Sequence, residues 1–500
     1  MSVRSKEKHL VRGAGILLAV SSLPSEYGIG TFGAQSFQFI NFLKEAGQKY
    51  WQVLPIGPTS YGDSPYQSFS AFAGNPYFID LGVLISESLL TLDEVQSYDW
   101  GDSASNVDYS KIFDSRYQVL HIAFKKSKHI NTKEYKSFCK ENVYWLNEYS
   151  LFMALKFHFE NHSWFLWPED IRFHRVEAVK SYSEQFENEI DFWKFCQFKF
   201  FEQWNKVKQY ANENGIQIIG DIPIYAALDS ADVWSNSELF QLDTQRKPIK
   251  VSGVPPDAFS KDGQLWGNPL YDWDKMEQNG FDWWKQRMGQ SAKIYDIIRI
   301  DHFIGVVRYY AIPADESTAI NGNWQPGPGH KLTDAIDSSI GKAQVIAEDL
   351  GVVVPEVRRL LKKTGYPGMK VLLFAFDGDA TNEHLPCNYT RNMVVYGGTH
   401  DNETLMGHFT EMKTKDAQYA KEYLDVKKKK NLPKALLRTA YASVANTVMF
   451  QAQDILLLPN SARMNFPSTI GTNWRWRLKK DQLTIELAHR LNHLVHIYGR

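Results

Sequence analysis

The sequence predicts an α/β fold, a (β/α)8 TIM barrel with helical and loop insertions at the C-terminal face of its strands. Eight short apolar segments alternate with helical or inserted stretches along the 500 residues, which is the order of a parallel barrel. Carboxylates lie at the ends of four of these segments, and functional sites in such barrels form where the strands end. We therefore expect residues 1–500 to form a single barrel domain.

Each predicted strand is a run of apolar residues, often β-branched or aromatic, that Gly, Pro or polar residues bound. The first run follows a basic stretch, as in a signal peptide, but it is short and leads directly into polar residues, which favours a strand. The second run ends at Pro55, and the third ends in Gly220 and Asp221. In chain order the predicted strands are residues 15–20, 50–54, 216–219, 294–301, 343–347, 369–376, 393–396 and 447–451.

Two long stretches interrupt the alternation of strands and helices. Residues 84–210 have mostly helical periodicity with many aromatic residues, which predicts a helical insertion. Residues 226–290 begin with a long stretch of little periodicity that contains many Gly, Pro, Asp and Trp residues. Because long irregular segments inside a compact protein are usually functional, we expect this second insertion to cover a substrate.

Composition and charge argue against several classes of partner. The formal net charge of −1 indicates no nucleic-acid partner, and the basic run at residues 427–430 is interpreted as a solvated turn. No stretch reaches the ~20 apolar residues of a membrane span, so we expect no membrane partner. Cys139, Cys196 and Cys387 lie far apart without metal-ligand spacing, which indicates a cytoplasmic protein with reduced thiols. The oligomeric state stays open.

The fourth predicted strand contains two charged residues. Side chains alternate between the two faces of a strand, so Arg299 and Asp301 share one face and Ile298 and Ile300 share the other. Buried charges are costly unless they are paired or used. On this stretch alone, a structural ion pair and a functional site are both open.

Carboxylates follow four of the predicted strands, at Asp221, Asp301, Glu348 and Asp401. Carboxylates that converge in this way suit two tasks, which are binding a divalent cation and transferring a glycosyl group. The loops at the same face contain several Trp and Tyr residues, whose rings stack well on sugars. These aromatic residues favour sugar chemistry over a metal site; they are Tyr61, Tyr66, Trp266, Trp273 and Trp324.

Several short segments together carry a family resemblance. They include residues 63–67, 74–77, 220–225, 253–257, 263–269, 299–303, 347–351, 399–402 and 463–465. These segments resemble those of the amylomaltases, which are 4-α-glucanotransferases, or disproportionating enzymes, of glycoside hydrolase family 77. The resemblance covers most of the chain, from about Gly15 to Trp476.

The resemblance implies a role for each of three carboxylates. Asp301 would be the nucleophile, and Arg299 on the same face would favour its ionised form. Glu348 would be the general acid/base and must stay protonated near neutral pH, which requires desolvation or nearby anions. Asp401 would stabilise the positive charge that develops on the sugar in the transition state.

The resemblance also implies a set of substrate-binding residues. Alternatives remain for two of them, because Trp266 also suits core packing and Asp349 also suits a helix cap. His302 is interpreted as structural, or as a neighbour that supports Asp301. The implied binding residues are Tyr66, Asp221, Arg299, Asp349 and His400 around the sugar at the cleaved bond, Asp257, Gln264 and Trp266 on the acceptor side, and Asn465 in the last barrel loop.

The chain departs from the family pattern at a few positions. Ser468 replaces a glycine that is usual in the family, and Thr472 stands where a glycine is common. These two changes affect the predicted shape of the last loop, not the chemistry. Asp108 and Tyr109 resemble a segment that is linked to a second glucan groove in the family.

The implied function is the transfer of an α-1,4-glucan segment to the 4-OH of glucose or a maltooligosaccharide. The mechanism would be a retaining double displacement that needs no cofactor and no metal, and the partners would be α-1,4-glucans and maltooligosaccharides. Three alternatives are an α-glucan hydrolase on the same scaffold, a glucan-binding protein without turnover, and a metal-dependent barrel enzyme.

Overall fold

Eight parallel strands form the predicted barrel, which is confirmed by a computed structural model that describes residues 9–60, 62–256 and 260–500. A second sheet of four strands lies beside the barrel. In chain order the strands are β1 (Gly13–Leu17), β2 (Tyr50–Gln52), β3 (Gln217–Ile222), β4 (Lys250–Val254), β5 (Gln264–Pro269), β6 (Ile297–Ile300), β7 (Arg308–Pro313), β8 (Asn323–Pro326), β9 (Gln344–Ala347), β10 (Gly368–Val371), β11 (Met393–Tyr396) and β12 (Thr447–Gln451).

The barrel strands follow the order β10-β11-β12-β1-β2-β3-β6-β9. Between the first and last strands of this order, the amide of Ala347 donates to the carbonyl of Pro367 at 3.0 Å, which brings β9 to β10. In the parallel register, Asp221 on β3 pairs with Arg299 on β6, and Arg299 pairs with Ile346 on β9. The strand ends that carry the predicted site therefore lie at one level of the barrel.

Most barrel strands lie within a few residues of their predicted bounds, and two differ in an informative way. The structure ends β6 at Ile300, although the amide of Asp301 still donates to the carbonyl of Ile222 at 2.9 Å. The strand β10 ends at Val371 because the apolar run continues as a 3-10 turn at Leu372–Phe374. An apolar run alone does not distinguish a strand from such a buried turn.

Helices cover the barrel and fill the long connection between β2 and β3. The longest is rich in Phe and Trp, and the indole of Trp204 donates to the carbonyl of Ile294 at 3.0 Å. In chain order the helices are α1 (Ala34–Glu45), α2 (Leu81–Ser86), α3 (Leu92–Gln96), α4 (Tyr109–Lys126), α5 (Lys133–Glu141), α6 (Val143–His158), α7 (Glu169–Arg172), α8 (Val176–Gln185), α9 (Glu187–Glu213), α10 (Ala231–Ser235), α11 (Trp273–Gln278), α12 (Asp282–Ile294), α13 (Ile304–Val307), α14 (His330–Ser339), α15 (Pro355–Thr364), α16 (Leu405–Glu411), α17 (Thr414–Tyr423), α18 (Leu432–Ala442), α19 (Ala452–Ile455) and α20 (Ile485–Tyr498). Within the described ranges, no helix is long and apolar enough to cross a membrane.

The predicted loop insertion at residues 226–290 contains regular structure. Its strands β4 and β5 join β7 and β8 in an antiparallel sheet with the order β5-β4-β7-β8, and α10, α11 and part of α12 complete the stretch. Short strands separated by Gly and Pro show little periodicity, which is why the sequence indicated an irregular segment. The division into a barrel with insertions at 84–210 and 226–290, and the covering role of the second insertion, stay predictions.

The segment between α19 and α20 contains the two departures from the family pattern. The backbone of Ser468 has a φ angle of 64°, in the left-handed region that favours glycine. The serine therefore adopts the backbone conformation that a glycine would adopt without strain.

Ser468→Gly should raise the free energy of unfolding by up to about 1 kcal/mol, because it relieves a left-handed non-glycine residue. Ser468→Val should lower it, because a β-branched side chain fits this region worst. Thermal unfolding of both variants beside the parent protein measures the difference. A less stable glycine variant, or a valine variant as stable as the parent, would contradict the expected strain.

Candidate active site

The site is built around the buried side chain of Arg299 on β6. Its Nη1 atom lies 2.6 and 2.7 Å from the two carboxylate oxygens of Asp221 and 2.8 Å from Oδ1 of Asp301. Arg299 and Asp221 are buried, whereas the side chain of Asp301 is 31% exposed. The arginine therefore neutralises one hidden carboxylate and holds a second carboxylate that is open to solvent.

Tyr66 and His400 extend this network from two other loops. The hydroxyl of Tyr66 donates to Oδ2 of Asp221 at 2.9 Å and lies 3.3 Å from Nδ1 of His400, and the two rings stack at 4.9 Å. Burial raises the pKa of Asp221, and Arg299 limits that rise. Burial also raises the pKa of Tyr66 well above its ordinary value, so its hydroxyl remains a hydrogen-bond donor.

Glu348 follows β9 and lies beside Asp301. Its Oε2 accepts from the backbone amide of His302 at 2.7 Å, and its Oε1 accepts from the amide of Leu350 at 2.8 Å. Burial, followed by the negative charge of Asp301, raises the pKa of Glu348 to about 8, and these two effects outweigh the lowering by Arg299 and the two amide donors. A carboxylic acid with that pKa holds a proton at neutral pH and can donate it to a leaving group.

Asp401 follows β11 and is held by two side chains. Its Oδ1 accepts from the amide Nδ2 of Asn465 at 2.6 Å, and its Oδ2 lies 3.3 Å from Nε2 of His400. Although desolvation alone would raise the pKa of Asp401, His400 and Asn465 lower it to about 2. In the same pair, Asp401 raises the pKa of His400 against the effect of burial. With a pKa of about 2, Asp401 is ionised at neutral pH. Its side chain is 46% exposed, so it is open to the cleft.

Two predicted acceptor-side residues, Gln264 and Trp266, lie on β5 in the second sheet. The indole of Trp266 donates to Oε1 of Gln264 at 3.1 Å, and its ring meets the ring of His302 edge-on at 4.8 Å. Trp266 is only partly buried, so core packing does not account for all of its surface. His302 directly follows Asp301, so this contact connects the second sheet to the end of β6. Asp257 lies outside the described residues.

Asp349 lies at the junction of β9 and β10. Its Oδ1 accepts from the amide of Met369 at 2.6 Å. It is not the N-cap of the following helix α15, because that position belongs to Val354. The alternative of a helix cap is therefore wrong, and contact with a sugar stays a prediction for Asp349.

Two residues of the site were not singled out from the sequence. Met369 on β10 places its sulfur 3.4 Å from Nε of Arg299, and no pattern beyond strand alternation could have indicated this. Arg463 donates from Nη2 to the backbone carbonyl of Asp401 at 2.6 Å. Arg463 belongs to the matched segment 463–465, but a contact across 62 residues depends on how two loops pack.

The structure therefore brings Tyr66, Asp221, Arg299, Asp301 and His400 into one network. Glu348 and Asp401 are connected to it through His302 and His400. In the part of the chain that the structure describes, no three His, Cys, Asp or Glu side chains are grouped to hold a metal ion.

A barrel whose strand ends carry Asp301 and Asp401 beside a glutamate with a raised pKa is typical of enzymes that act on glycosidic bonds. Comparison with known proteins then gives the family. A sequence model described as 4-alpha-glucanotransferase matches residues 18–484. The chain belongs to this 4-alpha-glucanotransferase family, and the predicted resemblance and its glycosyl-transferring function are confirmed.

Individual relatives cover nearly the whole chain. A 4-alpha-glucanotransferase of Clostridium butyricum is 48% identical over 96% of this chain and 99% of its own length. The solved structure of an amylomaltase from Streptococcus agalactiae in complex with acarbose is 42% identical, covers 98% of this chain and 99% of its own, and superposes with a TM-score of 0.94. An amylomaltase from Corynebacterium glutamicum, at 17% identity, 98% and 75% coverage and a TM-score of 0.80, supports the fold alone.

Proposed function

We propose that Asp301, Glu348 and Asp401 transfer α-1,4-glucan segments to the 4-OH of an acceptor sugar by a retaining double displacement. The observation that carries this proposal is the pair formed by Glu348 and Asp301. Glu348 is buried with a pKa of about 8, and its carboxyl accepts from the backbone amide of His302, the residue after Asp301. Asp301 itself is partly exposed and is held by Arg299. The pair supplies an acid and a nucleophile at the same bond.

In the first step, an oxygen of Asp301 attacks the anomeric carbon of the donor sugar and forms an ester. The glycosidic bond breaks, and its electron pair goes to the leaving oxygen, which takes the proton of Glu348. Asp401 is ionised with a pKa of about 2 and is open to the cleft, so it stabilises the positive charge that develops on the ring.

In the second step, the 4-OH of an acceptor attacks the anomeric carbon and the ester bond breaks. Glu348, now a carboxylate, takes the proton of that hydroxyl and returns to its starting form. Asp301 leaves as a carboxylate beside Arg299. Two inversions at one carbon give overall retention.

Around these three groups, polar and aromatic side chains suit the binding of a glucose unit. One side of the site is a hydrogen-bonded network of donors and acceptors, formed by Tyr66, Asp221, Arg299 and His400. Asn465 lies next to Asp401 and bonds to its carboxylate. Gln264 and Trp266 present an amide and an aromatic ring from the second sheet, in the neighbourhood of His302. An acceptor that stacks on this aromatic ring is positioned to compete with water for the ester.

The partners that this site fits are α-1,4-glucans and maltooligosaccharides as both donor and acceptor. A cytoplasmic location, with Cys139, Cys196 and Cys387 present as free thiols, stays a prediction.

Incubation with maltotriose distinguishes transfer from hydrolysis. We expect glucose together with a ladder of longer maltooligosaccharides, because the acceptor competes with water at the ester. Chromatography of the products over time measures both outcomes, with the Asp301→Asn variant as the blank. Glucose and maltose without longer products would mean hydrolysis and would reject the proposal, and loss of activity in EDTA would favour a metal-dependent enzyme.

A further inference from the structure

We propose that Arg463 is a positioning residue that holds Asp401 in its working orientation. The inference rests on the proposed role of Asp401 in the transition state. Arg463 lies in the loop after β12 and touches the backbone of the loop after β11, so it joins the two loops that carry Asn465 and Asp401.

The guanidinium of Arg463 makes two hydrogen bonds at once. Its Nη2 donates to the backbone carbonyl of Asp401 at 2.6 Å, and its Nε donates to the backbone carbonyl of Asn465 at 2.7 Å. The side chain of Asn465 in turn donates to Oδ1 of Asp401 at 2.6 Å. The three residues therefore form a closed set, in which the guanidinium fixes the distance between two backbones and the amide fixes the rotation of the carboxylate.

The guanidinium of Arg463 also lies against an aromatic ring and near several carboxylates. Its guanidinium carbon lies 4.4 Å from the centre of the Phe466 ring. Desolvation lowers the pKa of Arg463, while the carboxylates of Glu403, Asp401 and Glu411 oppose that effect and favour the charged form. A planar guanidinium with two neighbouring acceptors and an aromatic face is restricted to one orientation, which a lysine cannot reproduce.

Asn460 reinforces the same connection between the two loops. Its Oδ1 accepts from the amide of Thr404 at 3.2 Å, and its Nδ2 donates to Glu403 and Glu411, each at 3.2 Å. The loop after β11 is thus fixed to the loop after β12 downstream of Asp401 as well. Of Asn460 and Arg463, Arg463 is the residue that bonds directly to Asp401.

The expected effect is on the chemical step more than on binding. Asp401 acts mainly on the charge of the transition state. A small displacement of such a positioned group lowers the rate of the chemical step by about 10²-fold. The residues proposed to bind the glucan in the ground state are mostly other side chains, so KM should change little. Arg463→Met should therefore lower kcat about 100-fold with a KM within about 3-fold of the parent value. Arg463→Lys keeps one donor, so its kcat should fall between those of the parent and Arg463→Met.

The experiment measures kcat and KM on maltotriose, with the thermal unfolding temperature, for Arg463→Met, Arg463→Lys, Asn465→Ala and the double variant R463M/N465A. Because Arg463 is proposed to act through the Asn465 and Asp401 pair, the double variant should lose much less than the product of the two single losses. Arg359→Met is the matched control, because Arg359 lies on α15 with its side chain 72% exposed.

Each outcome decides the inference. It is overturned if Arg463→Met keeps kcat within about 3-fold of the parent, or if the losses of Arg463→Met and Asn465→Ala multiply. If Arg463→Met does not fold, Arg463→Lys decides, since a parent-like kcat in that variant overturns the inference. Asp401→Asn separates the two proposals: near-normal turnover in Asp401→Asn rejects the role of Asp401 itself, whereas an inactive Asp401→Asn with a normal Arg463→Met rejects only the positioning role.

Discussion

Asp301→Asn should abolish turnover while leaving glucan binding measurable. The substitution keeps the shape of the side chain but replaces the attacking oxygen with a neutral amide, so no glycosyl ester forms. Loss of a nucleophile of this kind lowers kcat by at least about 10⁴-fold. Arg299 keeps its contact with both oxygens of the buried Asp221, so the hydrogen-bonded network of the sugar site should stay in place. Product analysis on maltotriose measures turnover, and calorimetric titration with a maltooligosaccharide measures binding.

A matched control lies at the other end of the same strand. Asp296 precedes β6 at the opposite face of the barrel, where it accepts from the amide of Ile218 at 2.8 Å and from Asn212 at 2.8 Å. Residues at that face of such barrels contribute to stability and not to chemistry. Asp296→Asn should therefore keep a normal kcat, with at most a lower unfolding temperature. Normal turnover in Asp301→Asn would reject Asp301 as the nucleophile.

The positions of the carboxylates could be predicted because chain order decides them. Asp301, Glu348 and Asp401 each follow an apolar strand, and parallel strands end at one face, so their proximity depends on the barrel alone. The contact of Arg299 with Asp301 could likewise be predicted, because side chains two residues apart lie on the same face of a strand. The register of β3 and β6, which the structure shows and the strand order alone does not determine, sets Asp221 beside Arg299.

The residues that bond to these carboxylates and shift their pKa values were harder to predict from the sequence. Asn465 and Arg463 reach Asp401 across more than 60 positions, through a loop whose path depends on tertiary packing. Asp349 follows Glu348 directly, yet its carboxylate turns to the amide of Met369 because the amide of that neighbouring strand needs an acceptor. Hydrogen bonds of this kind depend on which backbone amides lack a partner, and the sequence does not indicate that.

Glu348→Gln should show the second large effect, and its size should depend on the leaving group. A glutamine cannot donate the proton, so kcat on maltotriose should fall by about 10²–10⁴-fold. The leaving group of a donor such as α-maltosyl fluoride is fluoride, which departs without protonation. The first step should therefore recover, and the glycosyl ester on Asp301 should accumulate. Rapid quenching and mass measurement of the intact protein detect that ester. Equal losses with both donors would reject Glu348 as the acid.

The parent enzyme should lose activity as the pH rises through about 8. The acid form of Glu348 is needed for the first step, and burial together with Asp301 places its pKa at about 8. In the Glu348→Gln variant acting on the fluoride donor, this alkaline limb should disappear, because glutamine does not titrate. A pH profile of kcat/KM for both proteins measures the limb, and a limb that persists in the variant would assign it to another group.

The same substitution should make the protein more stable at alkaline pH. The pKa of Glu348 is raised in the folded state above its ordinary value, so the folded protein binds the proton more tightly than the unfolded chain does. This contribution to stability is complete below the ordinary pKa of 4.5 and is lost as the pH rises through the folded pKa of about 8, where the buried group ionises against Asp301. Glutamine keeps a neutral side chain at every pH, so Glu348→Gln should unfold at a higher temperature than the parent above about pH 8, and the gap should narrow below neutral pH. An unfolding temperature that differs by the same amount at every pH would show that Glu348 does not carry a raised pKa, and the acid would then have to be sought elsewhere in the cleft.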